Sequence, residues 1–291
     1  MTRTVAAAVA VAVVASLPAG SSAAKREIEV RPGRNAISKA LDRARDGGKL
    51  LLHAGRYREE ITVDKRVKLV GVGKGRPVID GRCDAETTVA VRADGVRLKH
   101  LKVVGAGDGP FPIEVDFTEV SGGRANDLVL RDTCEAEYGI NVLDTGPIEI
   151  RNSRARGFDD AGFYIGEVTR TLGGAIQLRG SHSYANNRGL IVENSAGGDI
   201  RVTGNQFHDN DVPNPVSPPT GILITNSDGI FVGGNEVRDN ARIGLHITAD
   251  SDDNLIDDNT ILGNPVDTRN EGTGNCGSGN VFETGDPLPP C

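Results

Sequence analysis

The chain has 291 residues, a net charge of −7, no tryptophan, 4% aromatic residues and 38 glycines. So few large rings exclude a globular core centred on aromatic side chains, and the many glycines favour tight turns between short strands of Val, Ile and Leu. The negative net charge excludes the broad basic surface of a general nucleic-acid-binding protein, so nucleic acid is not an expected partner.

The first residues have the pattern of a secretory signal peptide. Arg3 precedes the apolar run "VAAAVAVAVVASLPAG", and small residues follow up to Ala24, with Ala23 as an alternative cleavage position. The run is short for a membrane-spanning helix, and no second apolar segment follows it. We therefore expect residues 1–24 to be removed on export, leaving a secreted, extracellular monomer without membrane insertion.

The next segment predicts a cap on the end of a stack of strands. The stretch "NAISKALDRARDGG", residues 35–48, has the spacing of a short amphipathic helix with Ile37, Leu41 and Ala44 on one face. An uncovered end of a sheet invites edge-to-edge aggregation, so a helix is expected to cover it. We expect the N-terminal cap to occupy residues 25–48, strand coils residues 49–270, and a C-terminal tail residues 271–291.

A phrase that starts at a glycine and continues as an apolar strand recurs along the chain. It reads "YGINV", "AGFYIG", "RGLIVEN", "TGILITN" and "IGLHIT", about every 25 residues. A second strand series ("IEIRNS", "AIQLRGS", "DIRVTGN", "GIFVGGN", "NLIDDN") and a third, shorter one ("YANN", "FHDN", "VRDN", "ILGN") follow it. Three short strands per repeat, without helical periodicity, predict the coils of a parallel β-helix.

Alternation along the glycine-led strands assigns each side chain to one side of the sheet. The inward positions are Ile140, Phe163, Leu190, Ile222 and Leu245, then Val142, Ile165, Val192, Ile224 and Ile247. The outward positions are Asn141, Tyr164, Ile191, Leu223 and His246, then Leu143, Gly166, Glu193, Thr225 and Thr248. At one corner a structural stack of asparagines is expected, because Asn tolerates left-handed backbone geometry and bonds to Asn on the next coil: Asn152, Asn205, Asn235 and Asn259.

Four cysteines in an exported chain permit disulfides. A Cys276–Cys291 disulfide is expected to close the C-terminal tail, with a contribution of roughly 3 kcal/mol. Cys83 and Cys134 occupy equivalent corners with one coil between them. Two coil steps of about 4.8 Å exceed the Cα separation that a disulfide spans. This pair is therefore expected to be free, or only strained into pairing, unless the loop "GAGDGPFP" distorts the stack.

Two passages carry a resemblance to a known group of proteins. They are "LLHAGRYREEITVDKRVKLVGVG" and "YGINVLDT", the latter continuing through "IEIRNSRARGFDDAGFYIG" and "GLIVENS". The chain resembles the pectate-lyase-like superfamily of right-handed parallel β-helix proteins, and within it a subgroup of secreted bacterial repeat proteins. The resemblance spans almost the whole mature chain. It implies an all-β, single-domain right-handed parallel β-helix with a short N-terminal capping helix, and a polysaccharide partner bound along one strand face.

The candidate site is the middle of the chain, where outward polar and aromatic positions adjoin the arginine-rich stretch "RNSRARGFDDAGFY". The expected catalytic residues are Asp159, Asp160, Tyr164, Arg156 and Glu193. The expected substrate-binding residues are Tyr138, Asn141, Arg154, Arg188 and Asn194. The alternative is a turn with only a packing role, whose arginines pair with neighbouring acids.

This set suits a lyase or C5-epimerase that acts on a uronate-containing polysaccharide. Arg156 would neutralise the sugar carboxylate, Asp160 would act as base, and Tyr164 would donate a proton. Asp159 and Asp160 point to opposite sides if extended, so they do not share a proton. Asp160 and Glu193 lie on neighbouring coils, so a hydrolytic pair of carboxylates is a further possibility. The Asp-Pro-His-Asp motif of uronan epimerases is absent after "YG", which leaves the reaction type open.

Two other functions compete with catalysis. One is a non-catalytic carbohydrate-binding or cell-envelope scaffold, whose retention on a polysaccharide would survive substitution of Asp160 and Arg156. The other is a periplasmic metal-site accessory that handles copper. Methionine is a preferred copper ligand, and the sequence has only one Met, at its start, so this function is disfavoured. No cofactor and no metal site are expected. The acids of "DSDDNLIDDN", residues 250–259, could bind Ca²⁺, with solvated turns as the alternative.

Overall fold

The computed structural model describes residues 27–169, 174–215 and 217–291, and the predicted signal peptide lies outside these ranges. The described chain winds into about ten coils of short strands, and every pairing between coils is parallel. The predicted all-β, single-domain parallel β-helix with one short helix is confirmed. None of the helices in the described part of the chain is long and apolar enough to cross a bilayer.

The strands form three rows along the axis of the stack, numbered here in chain order. The chain starts with β1 (Glu27–Val30), α1 (Ala36–Arg43), β2 (Lys49–Arg58) and β4 (Lys68–Ala85). The first sheet has nine strands: β3 (Ile61–Val63), β5 (Thr87–Val91), β8 (Ile113–Thr118), β11 (Tyr138–Leu143), β14 (Ala161–Gly166), β17 (Arg188–Glu193), β20 (Thr220–Thr225), β23 (Ile243–Ile247) and β26 (Val266–Asn270).

The other two rows belong to one seventeen-stranded sheet, joined through β1, β2 and β4. The second row contains β6 (Arg97–Lys99), β9 (Gly123–Asn126), β12 (Ile148–Arg151), β15 (Ile176–Arg179), β18 (Ile200–Thr203), β21 (Phe231–Gly233) and β24 (Leu255–Asp257). The third row contains β7 (Lys102–Ala106), β10 (Val129–Arg131), β13 (Arg154–Arg156), β16 (His182–Tyr184), β19 (Gln206–His208), β22 (Glu236–Arg238) and β25 (Thr260–Leu262).

The register of the first sheet confirms the predicted inward and outward rows. Ile140 pairs with Phe163, and the pairing continues through Leu190, Ile222 and Leu245, all buried in one continuous apolar column. The leading glycines precede these positions because the coils approach closely there. A Cβ on Gly189 would lie 2.4 Å from the carbonyl oxygen of Gly221 on the next coil, and the other four repeat glycines are similarly crowded. A larger residue would push the coils apart.

Side-chain ladders close the corners of the later coils. The Asn205 amide donates to Asn235, Asn235 donates to Asn259, and Asn259 donates to Asn280, each at 2.9–3.0 Å. The prediction that Asn152 belongs to this ladder is wrong. Asn152 is exposed and has a left-handed backbone (φ 50°). It is equivalent to Gly204 and Gly234 of later coils, which also have a left-handed backbone. The next residue, Ser153, therefore occupies the ladder position in this coil.

The N-terminal helix is shorter than the segment that predicts it, but it buries the predicted face. Ile37, Leu41 and Ala44 are all buried against the column. The Glu59 carboxylate accepts hydrogen bonds from the backbone N–H groups of Ile37 (2.9 Å) and Ser38 (3.0 Å). Glu59 therefore supplies the helix start with the acceptors that the first turn lacks within the helix itself.

Both cysteine pairs form disulfides. The predicted Cys276–Cys291 disulfide is present, with Cα atoms 5.0 Å apart. The expectation that Cys83 and Cys134 are too far apart is wrong, because their Cα atoms are 5.4 Å apart. The register of β4 against β7 shifts between Asp80 and Ala85, and Cys83 in this bulge has a left-handed backbone (φ 63°). The bulge displaces Cys83 from its own coil towards Cys134, so the disulfide spans the intervening coil.

Candidate functional site

Polar and aromatic side chains interrupt the outer face of the first sheet at its middle strands. Asp116, Asn141 and Tyr164 lie in register on β8, β11 and β14, and Ile191 follows on β17. Tyr164 and Ile191 form a small buried apolar cluster outside the main core, with Tyr138 packed against it. This outer cluster gives the polar groups beside it a partly dry environment.

Tyr164 lies flat across its own strand and reaches the next coil. Its hydroxyl donates to the Glu193 carboxylate at 2.8 Å. Gly166 makes this possible, because a Cβ at that position would lie 2.4 Å from the Tyr164 ring. Burial raises the pKa of the Tyr164 hydroxyl well above its usual value, and the hydrogen bond to Glu193 and its negative charge raise it further. The hydroxyl therefore stays protonated and acts as a donor.

A second tyrosine, Tyr138, completes the same arrangement one coil earlier. Its ring lies 4.8 Å from the Tyr164 ring, measured between centroids, and its hydroxyl donates to Asp160 at 3.2 Å. Asp160 also forms an ion pair with Arg188, which is only 9% exposed. Burial raises the pKa of the Asp160 carboxyl, and the Arg188 charge opposes that rise only in part. We call Tyr138, Asp160, Tyr164, Arg188 and Glu193 the tyrosine–carboxylate cluster.

Two acidic groups near the cluster had not been predicted. Burial, followed by the charges of Asp160 and Asp159, raises the pKa of the Glu137 carboxyl. Asp116 accepts a hydrogen bond from the predicted Asn141 at 2.7 Å and pairs with Arg92 at 2.6 Å. The strand alternation in "FPIEVDFTEV" could have placed Asp116 one coil before Asn141, whereas the Glu137 contacts depend on a turn.

The other predicted site residues lie apart from this cluster. Burial raises the pKa of the Asp159 carboxyl, and the negative charges of Asp132 and Glu135 raise it further. Asn194 sits at a corner, where its amide donates to Glu167 at 2.8 Å. The two aspartates therefore have different charged neighbours, and Asn194 bonds within its corner rather than to the tyrosines.

Arg154 and Arg156 lie on β13 in the third row, not on the first sheet. Among the described residues, Arg156 contacts the Tyr184 ring, with the guanidinium carbon 5.8 Å from the ring centroid. Tyr184 stacks in turn on His208 at 5.2 Å. The structure thus does not bring Arg156 together with Asp160 and Tyr164, because the corner after β13 turns the chain onto another face. Arg188 is the arginine that lies in the cluster.

A loop forms a wall next to the cluster. Residues 211–215 and 217–219 precede β20, and the Asn214 amide donates to the Asp159 carbonyl at 3.4 Å. A cavity of about 330 Å³ lies in this loop, lined by prolines, Asp211, Asn214 and Arg242. Asn214, which lines this cavity, therefore also contacts the turn that carries Asp160.

No group of three or more His, Cys, Asp or Glu side chains in the described ranges is arranged to hold a metal ion. The acids suggested for Ca²⁺ accept hydrogen bonds from nearby turns. Asp252 accepts from the Thr273 N–H at 2.6 Å, and Asp257 accepts from the Ser278 N–H at 2.8 Å. Proton transfer between hydroxyls and carboxylates is the chemistry that the cluster itself offers.

Comparisons with known proteins agree on the architecture. A family model described as "Right handed beta helix region" matches residues 138–283. None of the curated proteins compared with the sequence matches it. The chain is similar to the pectate lyase Pel9A, with a TM-score of 0.68 and 13% identity over 90% of this chain and 78% of that one.

Two further solved structures have the same architecture. An alginate lyase from Paenibacillus sp. str. FPU-7 gives a TM-score of 0.56 with 13% identity, over 90% of this chain and 96% of that one. The Azotobacter vinelandii mannuronan C-5 epimerase AlgE6 A-module gives 0.51 with 18% identity, over 86% and 74%. At these identities the likeness establishes the fold alone.

Proposed function

This chain belongs to the right-handed β-helix family, and from that premise we propose that it is an exported protein that acts on an acidic, uronate-containing polysaccharide as a lyase or C5-epimerase. The observation that carries the proposal is the hydrogen bond from Tyr164 to Glu193, set beside the Tyr138–Asp160–Arg188 contacts on the outer sheet face. The two disulfides support export, because they form and persist in oxidising compartments.

The chemistry requires a base, a proton donor and a cation. In an elimination, Glu193 takes the C5 proton, the C4–C5 double bond forms, and the C4–O bond breaks. Tyr164 gives its proton to the leaving oxygen and recovers one from protonated Glu193 through their 2.8 Å hydrogen bond. In an epimerisation the C4–O bond stays intact, a water molecule delivers a proton to the opposite face of C5, and Glu193 releases the proton that it took to the hydroxide left behind.

Arg188 takes the charge-neutralising role that the sequence had given to Arg156. It forms an ion pair with Asp160 on the outer face of the first sheet, where its positive charge would attract a sugar carboxylate. Tyr138 fixes the Asp160 carboxyl through its other oxygen, at 3.2 Å.

Three polymers test the proposal directly. Purified protein is incubated with alginate, polygalacturonate and a glycosaminoglycan, and unsaturated products, epimer content by NMR and reducing ends are measured. Tyr164→Phe and Glu193→Gln should each lower kcat by about 100-fold or more, because each removes one partner of the proton transfer. The control Glu60→Gln, at an exposed position just before β3, should keep wild-type turnover. Absence of all three products with every polymer would refute the assignment.

A second candidate function is binding without chemistry. It is favoured by Arg156, Tyr184 and His208, which stack on the third row away from the cluster and form a platform for a sugar ring. A binding protein of this kind would be retained on immobilised polysaccharide, would leave the polymer unchanged, and would keep its retention in Asp160→Ala.

A further inference from the structure

A second recess, lined by basic side chains, lies on the third row, far along the axis from the loop at residues 211–219. Its volume is about 490 Å³, and five cationic side chains line it: Arg56, Arg58, Arg82, Lys102 and Arg131. Val104 and the Cys83–Cys134 disulfide form other parts of the lining. The chain as a whole carries a net charge of −7, so this concentration of positive charge is local.

Most of these cations lack a protein counter-charge. Asp80 is the one carboxylate of the recess, and it is engaged by Arg56 at 2.6 Å and by the Arg82 backbone N–H at 2.9 Å. Within the described ranges, Arg58, Lys102 and Arg131 form no ion pair with a carboxylate. Cations held together without a partner repel one another, so a bound anion would relieve that repulsion.

The second row shows the contrasting arrangement. There Arg124, Arg151 and Arg179 surround the Glu149 carboxylate at 3.3, 3.6 and 2.5 Å. Burial opposes the charged form of Glu149, yet the hydrogen bond and charges of these arginines hold the pKa of its carboxyl below its usual value. Those arginines pair with a carboxylate of the protein, whereas most of the cations in the recess do not.

The cations of the third row also repeat in register. Arg56 pairs with Val78, Val78 with Lys102, Lys102 with Val129, and Val129 with Arg154. A cation therefore recurs on every second coil, about 10 Å apart, with a valine between. This spacing is close to the length of an extended disaccharide unit, and the valines offer apolar contact to the sugar rings.

A parallel line of side chains extends the same surface. Arg131 pairs with Arg156, Arg156 with Tyr184, and Tyr184 with His208. We call Arg56, Arg58, Lys102, Arg131, Arg154 and Arg156 the basic track. It runs along the axis and ends at the stacked Tyr184 and His208 rings.

We propose that the basic track binds a linear anionic polysaccharide that presents one carboxylate or sulfate group to this face per disaccharide. The track lies on a different row from the tyrosine–carboxylate cluster, so it is a separate holding surface for the polymer. Its ligand class follows from the unpartnered cations, their spacing and the aromatic platform, and it does not depend on whether the cluster is catalytic.

Binding measurements on the full chain test this inference. The triple variant Arg58→Ala/Lys102→Ala/Arg131→Ala is compared with Arg66→Ala/Arg201→Ala/Arg269→Ala, in which the same charge is removed from arginines that pair with carboxylates away from the third row. Affinities for polygalacturonate, chondroitin sulfate, neutral dextran and a single-stranded oligonucleotide are measured by biolayer interferometry at low and high salt, with melting temperature as the folding check.

The track variant should bind the two anionic polysaccharides about ten-fold or more weakly at low salt and lose most of the salt dependence, while the control variant stays close to wild type. Dextran should not bind. Equal losses in both triple variants would overturn the inference, as would oligonucleotide binding as tight as polysaccharide binding. A protein that alters none of the polymers but retains them through the track would refute the proposed function and leave this inference standing.

Discussion

The coils before Tyr138 and those after Ser181 are held together by different means. After Ser181 the coils pair without a register shift, and side-chain ladders close the corners, with asparagines at two corners and serines at the third. Before Tyr138 the register shifts in β2 and in β4, and the Cys83–Cys134 disulfide joins the displaced bulge to a later coil. The later coils therefore depend on many equivalent bonds, and the earlier coils on a few unique ones.

Position 114 shows the same difference at the scale of one residue. At the equivalent position, later coils have a glycine, such as Gly139, because a Cβ would collide with the next coil. The earlier coil instead buries Glu114, which is fully inaccessible to solvent. Irregular coils have room for unusual side chains, and the basic recess also lies among them. The tyrosine–carboxylate cluster lies at the boundary between the two regions.

Removal of the Cys83–Cys134 disulfide should have the largest effect on stability. Its two cysteines are 51 residues apart, so the bond lowers the conformational entropy of the unfolded chain and stabilises the fold by about 4 kcal/mol. The corresponding value for the 15-residue separation of Cys276 and Cys291 is about 3 kcal/mol. Cys83→Ala/Cys134→Ala should therefore lower the free energy of unfolding more than Cys276→Ala/Cys291→Ala in chemical denaturation. The reverse order would show that the tail, not the bulge, limits the stability of the stack.

Glu114→Gln should change how stability depends on pH. Burial, the largest cause, raises the pKa of the Glu114 carboxyl to about 8, and the negative charge of Asp132 adds to the rise. The folded state holds this proton more tightly than the unfolded state does. The protonated carboxyl therefore contributes fully to the free energy of unfolding below pH 4.5, and this contribution is lost as the pH rises towards 8. Between pH 5 and 7 the free energy of unfolding of the wild type should fall by about 2.5 kcal/mol relative to that of the variant.

Urea unfolding at a series of pH values measures this difference. The Gln side chain retains an acceptor for the Ala106 N–H, which bonds to the Glu114 carboxyl at 3.3 Å. The exposed Glu60→Gln is the matched control and should run parallel to the wild type across the range. Parallel curves for Glu114→Gln and the wild type would mean that the carboxyl is ionised in the folded protein at neutral pH.

Much of the first sheet could be predicted from sequence because strand alternation is a local property. It placed Tyr164 and Glu193 on the outward side of neighbouring strands, and the register confirms that placement, with Tyr164 opposite Ile191 and Gly166 opposite Glu193. Turns and bulges were not predictable in the same way. The corner between β13 and β14 separates Arg156 from Asp160, and the bulge at Cys83 shortens a span that regular coils would leave too long.

Asn235→Ala should have the smallest of these effects on stability, about 2 kcal/mol. The Asn235 amide donates to the Val202 carbonyl at 2.9 Å and accepts from the Asn205 N–H at 2.9 Å, and both partners are buried. Alanine would remove these two hydrogen bonds and the rungs that Asn235 forms with Asn205 and Asn259, while the Asn259–Asn280 rung persists. Asn226→Gly is the control, because Asn226 is exposed in a left-handed turn that glycine adopts freely (φ 45°). Thermal unfolding should show a clear loss for the first variant and little for the second. Equal losses would show that the ladder stabilises the later coils no more than an ordinary turn does.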